Sequence, residues 1–225
     1  MRTALLLIIS HLSLLLMTTT AFAQELRILA LGDSYTIGES VQEQDRWPLQ
    51  LANMLNNQGI NTAKPEIIAR TGWTSMNLLQ AINNHASLKQ FDIVTVLIGV
   101  NDQFQGIALE NYATGFTAVL EKAIQLTGNN PANVLVLSIP DYSVTPFAKR
   151  FNPALISRQL DDFNLRNKTI SKQHRVQYVD ITDISRNANT RSELLAFDGL
   201  HPSATMYQAW ANKALKTVRQ MIDNR

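Results

Sequence analysis

Short apolar segments alternate with amphipathic ones along this chain, and this alternation restricts the fold more than any other feature. Five apolar segments have the length of strands, at residues 26–31, 66–69, 91–98, 133–139 and 176–181. The segment 91–98 is apolar along nearly its whole length, which is typical of a strand buried on both faces of a parallel sheet. Strands that alternate with helices predict the α/β class, with a five-stranded parallel sheet covered on both faces.

Helical spacing of apolar residues predicts the elements between these strands. The predicted helices cover residues 47–57, 76–85, 109–126, 153–173 and 202–222. Pro48 and Pro153 lie in first turns and Gly59 follows a helix end, and these are common boundary signals. The longest loops follow the carboxyl ends of strands, where ligands bind in open α/β sheets, and they cover residues 36–46, 142–152 and 182–199.

Length and composition exclude several classes of protein. The 225 residues suffice for one α/β domain and are too few for two of ordinary size. The formal net charge is +2 and no cluster of Lys and Arg occurs, so we expect no nucleic-acid partner. The chain has no cysteine, which excludes disulfides, thiol catalysis and metal sites with cysteine ligands.

The first residues resemble a secretory signal peptide. Arg2 supplies a positive charge, residues 4–17 are mostly apolar, and Ala21-Phe22-Ala23 fits a cleavage site. We therefore expect residues 1–23 to be removed, residues 24–225 to form the mature domain, and the protein to be periplasmic or secreted without a stable membrane anchor. The alternative is an uncleaved N-terminal anchor, although the apolar stretch is shorter than the ~20 residues that span a bilayer.

Residues with the chemistry of a nucleophile and a base occur near the two ends of the mature chain. Ser34, in Gly32-Asp33-Ser34, directly follows the first predicted strand, and a serine hydroxyl needs a base to become a nucleophile. His201 can be that base, and Asp198, three residues earlier in a short turn, can orient its ring. The alternatives are a turn serine and a surface histidine next to a turn carboxylate.

Two further residues have the chemistry of oxyanion donors. Gly72 follows the second predicted strand and Asn101 follows the third. A glycine lets a backbone N–H approach a substrate closely, an asparagine amide is a second donor, and the backbone N–H of Ser34 is a third. The alternative explanations are a turn with positive φ at Gly72 and an Asx-turn at Asn101.

Taken together, these motifs resemble the SGNH hydrolases of the GDSL esterase/lipase superfamily. The matching blocks follow the family's order and span the mature chain: Gly32-Asp33-Ser34-Tyr35, Gly72, Gly99-Val100-Asn101-Asp102 and Asp198-Gly199-Leu200-His201. The resemblance implies a three-layer α/β/α sandwich and a serine esterase that needs no metal or other cofactor. It also implies catalytic Ser34, Asp198 and His201, with an oxyanion hole formed by Ser34, Gly72 and Asn101. Tyr35 departs from the family's usual leucine, so the local packing differs.

The remaining expectations concern the substrate. Trp73, Phe104 and Phe147 are candidate substrate-binding residues because they neighbour the motifs or lie in the loop after the fourth strand. We expect a monomer whose partner is a small-molecule, glycan or lipid ester, such as a small acyl ester, an acylated sugar or a short-chain lipid. The alternatives are an acyltransferase with a glycan acceptor, an inactive carbohydrate-binding module of the same fold, and a flavodoxin-like binding protein.

Overall fold

The computed structural model describes residues 25–85 and 89–225 of the chain, so the predicted signal peptide lies outside the described residues. These residues contain one five-stranded sheet in which all neighbouring strands are parallel. The strand order is β2-β1-β3-β4-β5. The strands are β1 (Ile28–Gly32), β2 (Glu66–Ala69), β3 (Ile93–Leu97), β4 (Val134–Leu137) and β5 (Gln177–Val179).

Helices cover both faces of this sheet, as the sequence predicts. The helices are α1 (Ser34–Ile37), α2 (Trp47–Asn57), α3 (Ser75–Asn84), α4 (Val100–Phe104), α5 (Leu109–Leu126), α6 (Pro153–Gln173), α7 (Thr182–Arg186) and α8 (Ala204–Asp223). Helices α2 and α8 pack against each other, while α5 packs against both α3 and α6. Every residue of β1, β3 and β4 is buried, which explains why these strands are apolar along most of their length.

Four of the five strands are shorter than their apolar segments, and near the ends of β1 and β4 the backbone groups bond elsewhere. Leu26 forms only an isolated bridge to Thr62, outside β1. Beyond β4, the Ile139 N–H donates to the side chain of Asn164 at 2.7 Å, and the Asn164 amide donates back to the Ile139 carbonyl at 2.9 Å. Ile139 is therefore buried and held by a side chain, and the sequence prediction that extended β4 to it was wrong.

The predicted start of the last helix and two of the predicted loops also need correction. Ser203, whose hydroxyl accepts from the Met206 N–H at 3.4 Å, caps α8, so this helix begins at Ala204 and not at Pro202. The segment 182–199 contains α7, and the segment 142–152 contains two short 3₁₀ turns. Helices α1 and α4 were not predicted, because four or five residues are too few to show an apolar period.

Within the described part of the chain, none of the helices combines the length and the apolarity required to cross a bilayer.

Candidate active site

The sequence-predicted site residues lie at the carboxyl ends of adjacent strands. β1 pairs with β2 on one side and with β3 on the other. The order in which the chain adds strands to the sheet therefore reverses at β1. Ser34 follows β1, Gly72 follows β2 and Asn101 follows β3. This reversal of strand order creates the crevice in which ligands bind in open α/β sheets.

A tight turn between β1 and α1 presents Ser34. A side chain at Gly32 would place its Cβ 2.1 Å from the Thr36 hydroxyl and 2.5 Å from the Leu97 carbonyl oxygen, so only glycine lets the strand pass directly into the helix. Asp33 caps α1, because its Oδ1 accepts from the Tyr35 N–H at 3.0 Å. Ser34 is therefore the first helical residue, and its backbone N–H needs no partner within the helix.

The capping carboxyl of Asp33 is in an unusual environment. Asp33 is fully buried, and its Oδ2 has no hydrogen-bond partner among the described residues. Burial raises the pKa of Asp33 from 3.8 to about 8, and the charge of Asp102 adds to the effect, although the bond from the Tyr35 N–H opposes it. Asp33 is therefore mostly neutral at pH 7, beneath the nucleophile candidate.

Asp198 and His201 are joined directly. Asp198 Oδ2 lies 2.6 Å from His201 Nδ1, and its Oδ1 accepts from the backbone N–H groups of Leu200 and His201, both at 2.9 Å. A bridge between Leu195 and Pro202 closes the loop that holds both residues. Because a carboxylate only accepts, Nδ1 carries the proton and Nε2 is left free to accept one.

The hydrogen bonds keep the Asp198 carboxyl ionised. Burial alone would raise its pKa, but the bonds from Ser40, from His201 and from the two backbone N–H groups outweigh that effect. Together they lower the pKa of Asp198 from 3.8 to about 2. The carboxylate therefore stays charged throughout the neutral range, where it orients the imidazole and stabilises its protonated form.

Tyr35, the residue at which the chain departs from the family pattern, packs against the imidazole. The ring centroids of Tyr35 and His201 are 5.6 Å apart with an interplanar angle of 60°, and Tyr35 also contacts Trp210 of α8 at 6.1 Å. The buried tyrosine thus limits movement of the imidazole ring on the side that faces the core.

Gly72 occupies a turn that requires its backbone conformation. The Trp73 N–H donates to the Arg70 carbonyl at 3.2 Å, and Gly72 has φ +81°, the conformation of the third residue of a type II turn. The Gln105 amide donates to the Gly72 carbonyl at 3.1 Å. This bond holds the turn in place and does not use the Gly72 N–H.

The side chain of Asn101 is also fixed. Its amide donates to the Trp73 carbonyl at 3.0 Å, which leaves its second N–H available. The next residue, Asp102, is buried and accepts from the N–H and the hydroxyl of Ser75, at 2.9 and 2.6 Å. These bonds connect the turn after β2 to helix α4, and no sequence signal indicated them.

A cavity of about 140 Å³ brings the predicted groups together. Ser34, Gly72, Asn101 and His201 all line it, while Asp198 lies behind His201. No hydrogen bond between the Ser34 hydroxyl and His201 occurs in residues 25–85 and 89–225. Catalytic hydrogen bonds of this kind are often long until a substrate binds.

Aromatic side chains form one side of this cavity. Phe104 and Phe147 line it, as does Tyr142 from the loop after the fourth strand. Phe151 extends the group outward, with ring centroids 5.8 Å from Phe104 and 5.5 Å from Phe147. Trp73 is not among the lining residues, and its half-buried side chain packs against the core instead.

The side chains and backbone groups around the cavity have a definite chemical capacity. Among the residues that the structure describes, no group of three or more His, Asp and Glu side chains is arranged to hold a metal ion. A hydroxyl, an imidazole paired with a carboxylate, and several N–H donors around one cavity are the parts needed for nucleophilic attack on a carbonyl group.

Comparison with known proteins identifies the family. The family model of the GDSL-like lipase/acylhydrolase family matches residues 30–209. The chain therefore belongs to this family and is a hydrolase of the GDSL/SGNH type. A search of curated proteins found no match to this chain.

Solved structures share the fold at low sequence identity. The crystal structure of TesA is 17% identical, with a TM-score of 0.70 over 87% of this chain and 99% of that chain. An esterase from Pseudoalteromonas sp., inhibited by monoethylphosphonate, is 18% identical, with a TM-score of 0.69 over 88% and 98%. An acetylxylan esterase from Geobacillus stearothermophilus is 16% identical, with a TM-score of 0.67 over 85% and 93%.

Proposed function

We propose that this protein is an exported serine esterase that hydrolyses small carboxylic esters through an acyl-enzyme on Ser34. The observation that carries the proposal is the bond between Asp198 and His201, 2.6 Å long, which lies behind a cavity that Ser34 also lines. This bond holds His201 in the tautomer that accepts a proton from a serine hydroxyl.

The proposed reaction has two acyl-transfer steps. His201 Nε2 takes the Ser34 proton as the hydroxyl oxygen attacks the ester carbonyl carbon. The resulting oxyanion accepts hydrogen bonds from the backbone N–H groups of Ser34 and Gly72 and from the Asn101 amide. His201 then protonates the departing alcohol, which leaves an acyl group on Ser34. A water molecule, deprotonated by His201, attacks this acyl-enzyme; the bond to the Ser34 oxygen breaks, His201 returns the proton to that oxygen, and the carboxylic acid is released.

The size of the cavity supports a small acyl group. Its 140 Å³ is well below the ~300–1,000 Å³ of pockets that enclose drug-sized ligands. Phe104 and Phe147 make one wall apolar, which suits the alkyl part of a short acyl chain. The acetylxylan esterase among the structures of similar fold acts, by its name, on an acylated sugar. Small acyl esters, acylated sugars and short-chain lipids are therefore the proposed substrates.

The proposed export rests on the N-terminal sequence alone. A charged residue, an apolar segment and Ala21-Phe22-Ala23 fit a cleaved signal peptide, and this pattern supports a mature enzyme in the periplasm or outside the cell. N-terminal sequencing of protein from expressing cells tests this directly. A mature chain that begins at Gln24 supports export, and an intact N-terminus contradicts it.

A serine-directed phosphonate tests the chemistry. We expect an ethyl phosphonate that carries a p-nitrophenyl leaving group to inactivate the enzyme, with release of p-nitrophenol and one adduct per chain, which peptide mass spectrometry locates on Ser34. The variant Ser34→Ala gains no adduct, whereas the matched control Ser192→Ala, at an exposed serine outside the cavity, is labelled like the wild type. A folded protein that resists the reagent, or an adduct on another serine, would contradict the proposal.

A further inference from the structure

The loop after α1 reaches the proposed catalytic carboxylate. The Ser40 hydroxyl donates to Asp198 Oδ2 at 2.6 Å, across a sequence separation of 158 residues. Oδ2 is also the oxygen that faces His201 Nδ1. The neighbouring residue of the same loop, Glu39, accepts a hydrogen bond from the hydroxyl of Thr71, which precedes Gly72 in the chain. One short loop therefore contacts both the base side and the oxyanion side of the site.

The bond from Ser40 completes the acceptor sites of the carboxylate. An ionised carboxylate has about four lone-pair sites, two on each oxygen. The N–H groups of Leu200 and His201 occupy those of Oδ1, and His201 Nδ1 and Ser40 Oγ occupy those of Oδ2. Rotation of the Asp198 carboxylate about its Cβ–Cγ bond would break all of these bonds at once.

Ser40 makes this contact from a strained backbone conformation. Its φ is +66°, in the left-handed region that disfavours residues other than glycine. The other non-glycine residues with positive φ in the described part of the chain are Asn129 and Arg175, which lie just beyond the ends of α5 and α6. Ser40 likewise lies just beyond the end of α1, so the left-handed conformation alone does not distinguish it from the other two; its hydrogen bond to the proposed catalytic carboxylate does.

We propose that Ser40 is a positioning residue for the proposed esterase, acting on His201 through the carboxylate of Asp198. Its hydroxyl fixes the plane of the carboxylate and, through it, the direction of His201 Nε2 toward Ser34. This inference rests on the proposed function. It also gives a reason for a serine at a position whose backbone favours glycine.

The variant Ser40→Gly separates this role from a structural one, because it removes the hydroxyl and also relieves the backbone strain. On p-nitrophenyl acetate we expect kcat to fall on the order of tenfold, the lower end of what a hydrogen bond to a charged group contributes, with KM within about twofold of the wild type. The unfolding temperature is expected to stay equal or rise. The matched control is Arg175→Gly, which relieves the same kind of strain away from the cavity and leaves kcat unchanged.

A double-mutant cycle tests whether Ser40 acts through Asp198. In an Asp198→Asn background we expect Ser40→Gly to change the residual kcat less than about twofold, because the carboxylate that it positions is gone. An unchanged kcat in Ser40→Gly alone, or the same tenfold loss in both backgrounds, would overturn the proposal. The variant Ser34→Ala distinguishes failure of the proposed function from failure of the inference about Ser40. If it retains full turnover the proposed function itself fails, and if it is inactive while Ser40→Gly is fully active only this inference fails.

Discussion

The side-chain amide of Asn101 donates a hydrogen bond to the backbone carbonyl of Trp73, at 3.0 Å. This bond joins helix α4, which follows β3, to the turn after β2 that contains Gly72. One N–H of the Asn101 amide makes this hydrogen bond, and the bond fixes the direction of the second N–H of the same amide. The proposed oxyanion donors are therefore held in place before a substrate arrives, which is the condition under which such donors are most effective.

Replacing this donor is expected to slow the chemical step. A preorganised oxyanion donor contributes roughly 2.7–4 kcal/mol to the stabilisation of a transition state. We predict that Asn101→Ala lowers kcat by two to three orders of magnitude, roughly, with KM little changed. Steady-state kinetics on p-nitrophenyl acetate measure both constants, and a loss of only tenfold or less would contradict the assigned role.

Gly72 offers a test of backbone geometry. An added Cβ would meet no atom within 4 Å, so Gly72→Ala acts only through the left-handed φ of +81°. We expect it to lower the free energy of unfolding by about 1 kcal/mol and, because the turn shifts, to lower kcat as well. Gly59 has the same φ and the same open surroundings at the end of α2, outside the cavity.

Gly59→Ala therefore serves as the control for this experiment. We expect Gly59→Ala to lower the free energy of unfolding, measured in urea, by the same amount as Gly72→Ala and to leave kcat unchanged. Equal kcat values for the two alanine variants would show that the Gly72 turn has no part in the reaction.

The pKa of Asp33 predicts how stability depends on pH. Its pKa is about 8 in the folded protein and 3.8 in the unfolded chain, so the folded state binds the proton more tightly. The wild type should lose stability relative to Asp33→Asn as the pH rises from 4 to 8, with a slope that approaches 1.4 kcal/mol per pH unit, roughly. Below pH 4 the difference should be constant, and above pH 8 it should be constant again.

Urea unfolding of both proteins at intervals between pH 4 and 9 measures this difference. The asparagine keeps an oxygen that can accept from the Tyr35 N–H, so the capping bond is retained. A difference in unfolding free energy that does not vary with pH would show that Asp33 does not titrate in this range.

Much of the fold follows from the sequence for a simple physical reason. Strands buried on both faces must be apolar, so β3 and β4 stand out against the amphipathic helices, and the number and direction of the strands could be predicted. Helices α1 and α4 could not, because their four and five residues show no period. The end of β4 depends on Asn164, a residue of α6 that bonds the Ile139 backbone.

The candidate site also has features that the sequence predicts and features that it does not. Ser34, Gly72 and Asn101 could be selected because each follows a strand and carries a suitable donor or nucleophile. Contacts between distant segments, such as Ser40 with Asp198 or Ser75 with Asp102, leave no pattern in a single sequence.

Trp73 shows a further limit of sequence reasoning. The residue is adjacent to Gly72, yet its side chain packs against the core and does not line the cavity, while its carbonyl accepts from the Asn101 amide. Adjacency in a turn does not determine the direction of a side chain.

The aromatic wall predicts the dependence on acyl chain length. Phe104 lines the cavity, is 46% exposed, and contacts Phe147 and Phe151. We expect the wild type to favour acyl chains of about two to four carbons, and Phe104→Ala to move the optimum to longer chains because the wall is opened. Leu165→Ala, at a surface leucine on α6, is the control. An unchanged optimum in Phe104→Ala would exclude Phe104 as a boundary of the acyl site.

The central claim is that the Ser34 hydroxyl attacks an ester carbonyl. The most direct test is the release of p-nitrophenol from acyl esters of increasing chain length by the mature wild type and by Ser34→Ala, with circular dichroism to show that both are folded. The account predicts turnover by the wild type and a loss of at least three orders of magnitude, roughly, in the variant. Turnover by a folded Ser34→Ala protein at the rate of the wild type would contradict it.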